Sequence, residues 1–253
     1  MAGAASMTSR ESTSWLGRAD SALPPRSLKD RALLGAFYVL NGPFLARSLY
    51  GGSRKAKSAL LERLGLPLDA LPHTGSWKAD VGLLTFLTDH ILTHKPGVVV
   101  EFSAGASTLI IARALERAGV ENPTFISFEQ HPDFVRKTSD WLEEFGLRSD
   151  IRVAPLAPSP GGWPGLWYSH DELPDGVDLL LVDGPHWAIH PFTRGAAATV
   201  FGKVAAGGTV MLDDAARPGE RIVARRWRRQ WPDFDFRLHH PGSKGTLVGT
   251  RRG

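Results

Sequence analysis

The sequence predicts an α/β protein built on a doubly wound, mostly parallel sheet of seven strands, with a helical extension at its N-terminus. Three observations carry that prediction. From Gly97 onward, short apolar runs alternate with helical patterns, as in strand–helix–strand units. The runs VVVEF (98–102) and VDLLLVD (177–183) are apolar on both faces, as buried parallel strands are. The chain ends in FDFRLHH (234–240) and TLVGTR (246–251) around a Pro-Gly-Ser-Lys-Gly turn, a hairpin that adds an antiparallel edge.

Taken in order, residues 1–25 are rich in Ala, Ser and Arg, end in Leu23-Pro24-Pro25, and read as a flexible tail. Residues 26–95 read as a helical extension. Its first pattern, ALLGAFYVLNGPFLA (32–46) closed by Arg47, is apolar but interrupted by Asn41-Gly42-Pro43, and it is too short to span a bilayer. Two readings of it stand. It is a lid packed on the main domain, or it makes peripheral membrane contact through residues 26–57, with Arg26, Lys29, Arg31 and Arg47 on lipid phosphates. Further helical patterns cover 54–65 and 78–94.

Residues 96–253 form the main domain. After VVVEF comes STLIIARALERAG (107–119), in which Leu109, Ile110, Ala114 and Leu115 recur at helical spacing and Gly119 suits the C-terminal cap. TFISFE (124–129) is the second strand, and a helix follows from Pro132 to Glu144. DIRVAPL (150–156), VDLLLVD (177–183) and GGTVMLDD (207–214) are the third, fourth and fifth strands. RRWRRQW (225–231) belongs to a surface helix whose Ile222, Val223 and Trp227 face the core.

Composition sets limits on function. With 42% apolar residues, the 253-residue chain can bury one sizeable core. The absence of cysteine removes disulfides and thiolate metal sites, and MAGAASMTSRESTSW lacks the apolar stretch of a secretion signal, so a cytoplasmic location is expected. The net charge of +4 is unevenly spread: residues 1–60 carry nine Lys/Arg against three Asp/Glu, residues 217–253 carry ten against three, and eleven face twenty in between. Basic ends suit nucleic acid, anionic lipid or an acidic substrate. Lys/Arg spread over solvated helix faces is the commoner explanation.

In open α/β sheets, ligands sit beyond the carboxyl ends of the strands. The ends of the first, second, fourth and fifth strands carry Glu101, Glu129, Asp183 and Asp213-Asp214. A partly buried carboxylate needs a cation or hydrogen-bond donors, so acids at four strand ends point to a ligand.

The first strand and its turn, E-F-S-A-G-A-S-T (101–108), resemble the acid-x-Gly-x-Gly-x-Gly motif of class I S-adenosylmethionine-dependent methyltransferases, with Ser103 and Ser107 in place of two of the glycines. The resemblance implies a Rossmann-like domain in which Glu101, Ser103, Ala104, Gly105, Ser107, Thr108, Glu129, Gln130 and Asp183 bind S-adenosylmethionine, Glu129 through the ribose hydroxyls. Ser107 or Thr108 would cap the following helix. VDGPH (182–186) and GGTVMLDDAAR (207–217) are similar to segments of small-molecule O-methyltransferases, including the macrolide and aminocoumarin sugar types. Carried over by position, Asp183, Asp213 and Asp214 would be ligands of Mg²⁺, and Asp183 and His186 the catalytic pair, with His186 as base. The acceptor implied is a small molecule or a sugar rather than nucleic acid. Trp77 and Trp187 would close over it, and Arg217 would touch an anionic acceptor or pair with Asp213 or Asp214.

Bland readings stand beside these. Asp183-Gly-Pro can be a strand-ending turn, Asp213-Asp214 a helix cap and His186 a loop residue, while His190, His239 and His240 carry weaker signals still. The lost glycines also leave open a non-catalytic binding module on the same fold. The basic termini leave open a nucleic-acid methyltransferase.

Overall fold

The computed structural model describes residues 27–253, so the tail expected at 1–25 lies outside the described residues. Helix α1 (Leu28–Ser48) starts where Ser27 Oγ accepts from the Asp30 N–H at 3.1 Å. It runs unbroken through the expected interruption at Asn41-Gly42-Pro43. Proline leaves unbonded only the carbonyl four residues back, that of Val39, and Val39 is 78% exposed, so water can serve it. Leu34 and Phe37 on the inner face pack with Trp187, while Leu28 and Leu40 on the outer face meet solvent. Among the described residues, no helix is long and apolar enough to cross a membrane.

Helices α2 (Arg54–Leu64) and α3 (Val81–His94) follow, each started by a side-chain cap. Ser53 accepts from Ala56 N–H and Asp80 from Leu83 N–H. The seven-stranded sheet runs in the order β3-β2-β1-β6-β7-β9-β8. Its strands are β1 (Val98–Phe102), β2 (Thr124–Glu129), β3 (Asp150–Val153), β6 (Val177–Val182), β7 (Val204–Leu212), β8 (Phe234–His239) and β9 (Thr246–Arg251). Pairing is parallel from β3 to β7 and antiparallel across β7, β9 and β8, as the terminal hairpin pattern requires.

Helices α4 (Ala106–Arg117) and α5 (Pro132–Glu144) cover one face with α2 and α3. Leu61, Leu84, Leu109, Ile110, Trp141 and Leu179 are buried there together. The other face is covered by a 3-10 helix (Thr193–Lys203), by α6 (Pro218–Gln230), and by a separate two-stranded hairpin, β4 (Leu156–Pro158) with β5 (Leu166–Tyr168).

Three expectations need correcting. The third strand does not continue to Leu156. Ala154 N–H makes the last bond, to Glu129 O at 2.8 Å, Pro155 has no N–H to give, and Leu156 joins the hairpin instead. The fifth strand begins at Val204 and ends at Leu212, which leaves Asp213 and Asp214 beyond the ladder. In α6, Val223 and Trp227 face the core, but Ile222 is 43% exposed. Trp227 carries that packing, fully buried with Nε1–H donating to Gly195 O at 2.9 Å. Of the α6 arginines, Arg226 lies over the Trp163 ring at 3.8 Å and bonds the carbonyls of Gly161 and Gly162, a structural employment for part of the basic run.

The register positions the site. Phe128, Phe102, Val182 and Leu212 lie side by side across β2, β1, β6 and β7. The next residue on each strand therefore falls in one row at the carboxyl edge: Glu129, Ser103, Asp183 and Asp213. Glu101 is not in this row. It pairs with Ser127, two residues deeper, so Ser103 rather than Glu101 stands beside Glu129.

Candidate active site

At the β1 end of the row, Glu101 is fully buried and its carboxylate is enclosed by hydroxyls. Ser107 Oγ donates to it at 2.5 Å, Thr108 Oγ1 at 2.7 Å and Ser127 Oγ at 2.8 Å. Burial pushes its carboxyl up to about 7, against the opposing effect of the three hydroxyl donors. Thr108 Oγ1, inside α4, also accepts at 2.8 Å from the N–H of Gly105, which rather than Ser107 or Thr108 is the N-cap residue. Glu101, Ser107 and Thr108 thus spend their polar atoms on one another. They shape the turn from below.

The turn above them is open to approach. Ala104 and Gly105 present little or no side chain, and Ser103 holds φ at 118°, a conformation suited to glycine. Glu129 crosses from β2 to this turn, accepting from Ala104 N–H at 3.3 Å and from His131 N–H at 3.0 Å. Beside it, Gln130 Oε1 is buried with no hydrogen-bond partner among the described residues. Tyr168, which sequence reading missed, fills the floor. A Cβ on Gly184 would lie 2.0 Å from its hydroxyl and 3.2 Å from Ser103 Cβ, so only glycine fits there. Burial, reinforced by Glu129, raises the Tyr168 phenol well above its ordinary value.

At the β6 and β7 ends, Asp183, Asp213 and Asp214 bring one oxygen each within 4.8 Å of the others. They face three buried cations. Asp214 Oδ2 pairs with Arg217 at 2.8 Å and Arg194 at 3.1 Å, and Arg194 reaches Asp183 at 3.6 Å. Lys244, from the β8–β9 turn, stands 3.7 Å from Asp213 Oδ2 and 3.8 Å from Asp214 Oδ1. Burial works to raise the Asp214 carboxyl, but Arg217, Lys244 and Arg194 outweigh it and hold it below the usual range. Burial and the adjacent Asp214 raise Asp213. Glu220, in the first turn of α6, is buried alongside and pushed up to about 7 by burial.

His186 sits at the rim. Its ring is exposed, with Nδ1 facing Ala188 N–H at 3.2 Å, and the nearby Arg217 and Arg194 work against its protonation. A neutral ring accepting at Nδ1 carries its proton on Nε2, so the nitrogen left for a ligand is a donor. That geometry opposes the expected role of base. Trp187 is buried against α1 and touches Tyr38, while Trp77 packs on Phe134 above the start of α5. His190 Nδ1 accepts from Phe192 N–H, and His239 lies against Phe86 outside the row. A groove of about 580 Å³ lies at the opposite, amino end of β2, lined by Leu115, Phe125 and Leu147. It holds none of these groups.

Residues 100–215 match the family model of a methyltransferase domain. Solved structures similar to the chain share its fold at low sequence identity. The O-methyltransferase TomG from Streptomyces achromogenes, involved in tomaymycin synthesis and solved with SAM, is 13% identical with a TM-score of 0.51 over 90% of this chain and 100% of that one. An O-methyltransferase from Bacillus cereus, solved with SAH, is 11% identical with a TM-score of 0.53 over 88% and 99%. The Podospora anserina methyltransferase PaMTH1, bound to SAH, is 12% identical with a TM-score of 0.52 over 92% and 100%. No curated protein gives a significant match. The fold is that of class I S-adenosylmethionine-dependent methyltransferases.

Within the methyltransferase domain, Ser103, Ala104, Gly105, Glu129, Gln130 and Asp183 come together at the open edge. Glu101, Ser107 and Thr108 support them from beneath. The small turn residues leave the backbone there without bulky side chains, as close approach of a ligand requires. Mg²⁺ is a different case. Carboxylates are the right donors for it, but Asp214 Oδ2 is taken by Arg194 and Arg217, and Asp213 Oδ2 and Asp214 Oδ1 look onto the Lys244 ammonium. The residues present do not fit a resident divalent ion. Arg194, Lys244 and Tyr168 are the site residues that sequence reasoning missed. Arg217 was seen, and of its two expected roles the structure shows the structural one.

Proposed function

We propose that the domain binds S-adenosylmethionine between the β1 turn and Glu129, and that it methylates an oxygen of a small-molecule or sugar acceptor held beside Asp183. The observation that carries this reading is the row Glu129, Ser103, Asp183 and Asp213, one residue beyond four aligned strand residues. The named similarity of O-methyltransferases solved with SAM or SAH supports the same reading. S-adenosylmethionine would supply an electrophilic methyl group on a sulfonium.

The protein's own part is orientation and proton handling. The Glu129 carboxylate accepts hydrogen bonds from the ribose hydroxyls, with Gln130 beside it. Asp183, with its side chain 13% exposed where Asp213 is 1%, is the acid of the cluster that an acceptor reaches, and it takes the hydroxyl proton as the oxygen attacks. His186 donates through Nε2–H to a second acceptor oxygen, and Trp187 with α1 shields the acceptor from water. Mg²⁺ has no place in this reading, because Lys244 already faces the oxygens it would need.

Calorimetric titration of S-adenosylhomocysteine into the purified chain tests the proposal without knowledge of the acceptor. Micromolar binding is expected. A folded protein with no detectable binding overturns the reading in favour of a non-catalytic module.

A further inference from the structure

Metal centres built from carboxylates concentrate negative charge and wait for an ion, whereas the cluster at the ends of β6 and β7 contains its own cation. We propose that the Lys244 ammonium occupies the seat a divalent ion would take, so that Asp183, Asp213 and Asp214 form a lysine-neutralised cluster that binds no metal. Both oxygens of Asp213 and Oδ1 of Asp214 are buried and without a hydrogen-bond partner among the described residues, so these are the atoms an ion would need. Two of them, Asp213 Oδ2 and Asp214 Oδ1, face Lys244 Nζ at 3.7 Å and 3.8 Å. The remaining oxygen of Asp214 is closed by Arg194 and Arg217. A divalent ion contacting these oxygens would sit within a few ångströms of the ammonium, in a buried site where like charges are poorly screened.

The position of Lys244 is imposed by the fold. Its ammonium donates to Lys78 O at 2.7 Å, and its own carbonyl accepts from Ala216 N–H at 3.1 Å. Just before it, Ser243 gives both N–H and hydroxyl to Asp80, at 2.7 Å and 2.9 Å. Gly242 is packed so closely that a Cβ there would lie 2.2 Å from Asp80 Oδ1. A lysine held by a clamped turn and a backbone carbonyl is not a mobile chain that swings aside for an incoming ion. One consequence concerns the acceptor: with no metal to chelate, it need not offer a vicinal diol. That consequence rests on the methyl-transfer reading, but the occupied seat does not.

The test is Mn²⁺ binding to the full chain, followed by the spectrum of free Mn²⁺. The wild type is expected to show no stoichiometric site, and Asp213→Asn to leave that weak background unchanged. Lys244→Ala is expected to gain one Mn²⁺ per chain with affinity higher by about tenfold or more, as the removed charge uncovers the oxygens, and Lys244→Ala combined with Asp213→Asn to lose it again. A wild-type site that Asp213→Asn abolishes overturns the proposal, as does a folded Lys244→Ala protein that gains none. If Lys244→Ala fails to fold, the wild-type and Asp213→Asn titrations decide alone. S-adenosylhomocysteine binding, measured in parallel, reports on the methyl-transfer reading separately.

Discussion

The β1–β2 side and the β6–β7 side of the site stabilise buried carboxylates in different ways. At β1 and β2, Glu101 is held by three neutral hydroxyls, whereas at β6 and β7, Asp183, Asp213 and Asp214 are held by Arg194, Arg217 and Lys244. Hydroxyl donors satisfy hydrogen bonds without supplying charge, so burial still wins and the Glu101 carboxyl rises to about 7. Cations supply charge, and Asp214 is held low in an equally buried place. Glu101 is therefore neutral at a pH where Asp214 stays ionised, while Asp213, buried beside Asp214, is raised as Glu101 is.

The largest expected effect breaks the ionic half. Arg194→Met leaves Asp214 and Asp183 short of a buried counter-charge and should cost about 3–5 kcal/mol in urea unfolding. A loss under about 1 kcal/mol would mean that the cluster does not depend on its cations. The hydroxyl half is probed by pH. A carboxyl raised in the folded state contributes stability that is complete below its unfolded pKa of about 4.5 and is lost as pH rises through the folded value of about 7. Glu101→Gln removes that titration, so its stability relative to wild type should improve between pH 5 and pH 8 by on the order of 2–3 kcal/mol. Parallel curves would show that Glu101 does not titrate there.

Glu129→Ala should weaken S-adenosylhomocysteine binding by about 1–3 kcal/mol in calorimetry, the cost of unpaired hydroxyls; unchanged affinity would remove the ribose assignment. Smallest is Ser103→Gly. Relieving a left-handed serine should raise stability by about 1 kcal/mol with affinity retained, and destabilisation would mean that the serine side chain earns its place in the turn.

Much of the fold was legible because strands buried on both faces are long apolar runs, and β1, β2, β6, β7, β8 and β9 stand close to where their patterns place them. Less legible were features decided by neighbours. The 3-10 helix at Thr193–Lys203 offered no periodicity, and the continuity of α1 through Pro43 depends on the solvent exposure of Val39. In the site, Glu129, Asp183, Asp213 and Asp214 were visible as strand-end acids, and Ser103 and Gly105 through the motif they resemble. Lys244 was not, because it lies 31 residues after Asp213 in a turn that reads as an ordinary hairpin connection.

The sequence by itself determined the order of strands and helices, the antiparallel end of the sheet and the acids at the strand ends, since these follow from local apolar period and from residue type. Only the tertiary structure decided what those acids face. Register put Ser103 rather than Glu101 beside Glu129, and the clamped β8–β9 turn brought Lys244 onto Asp213 and Asp214. Pairing and charge balance arise between segments distant in the chain, where the period of any one segment carries no information.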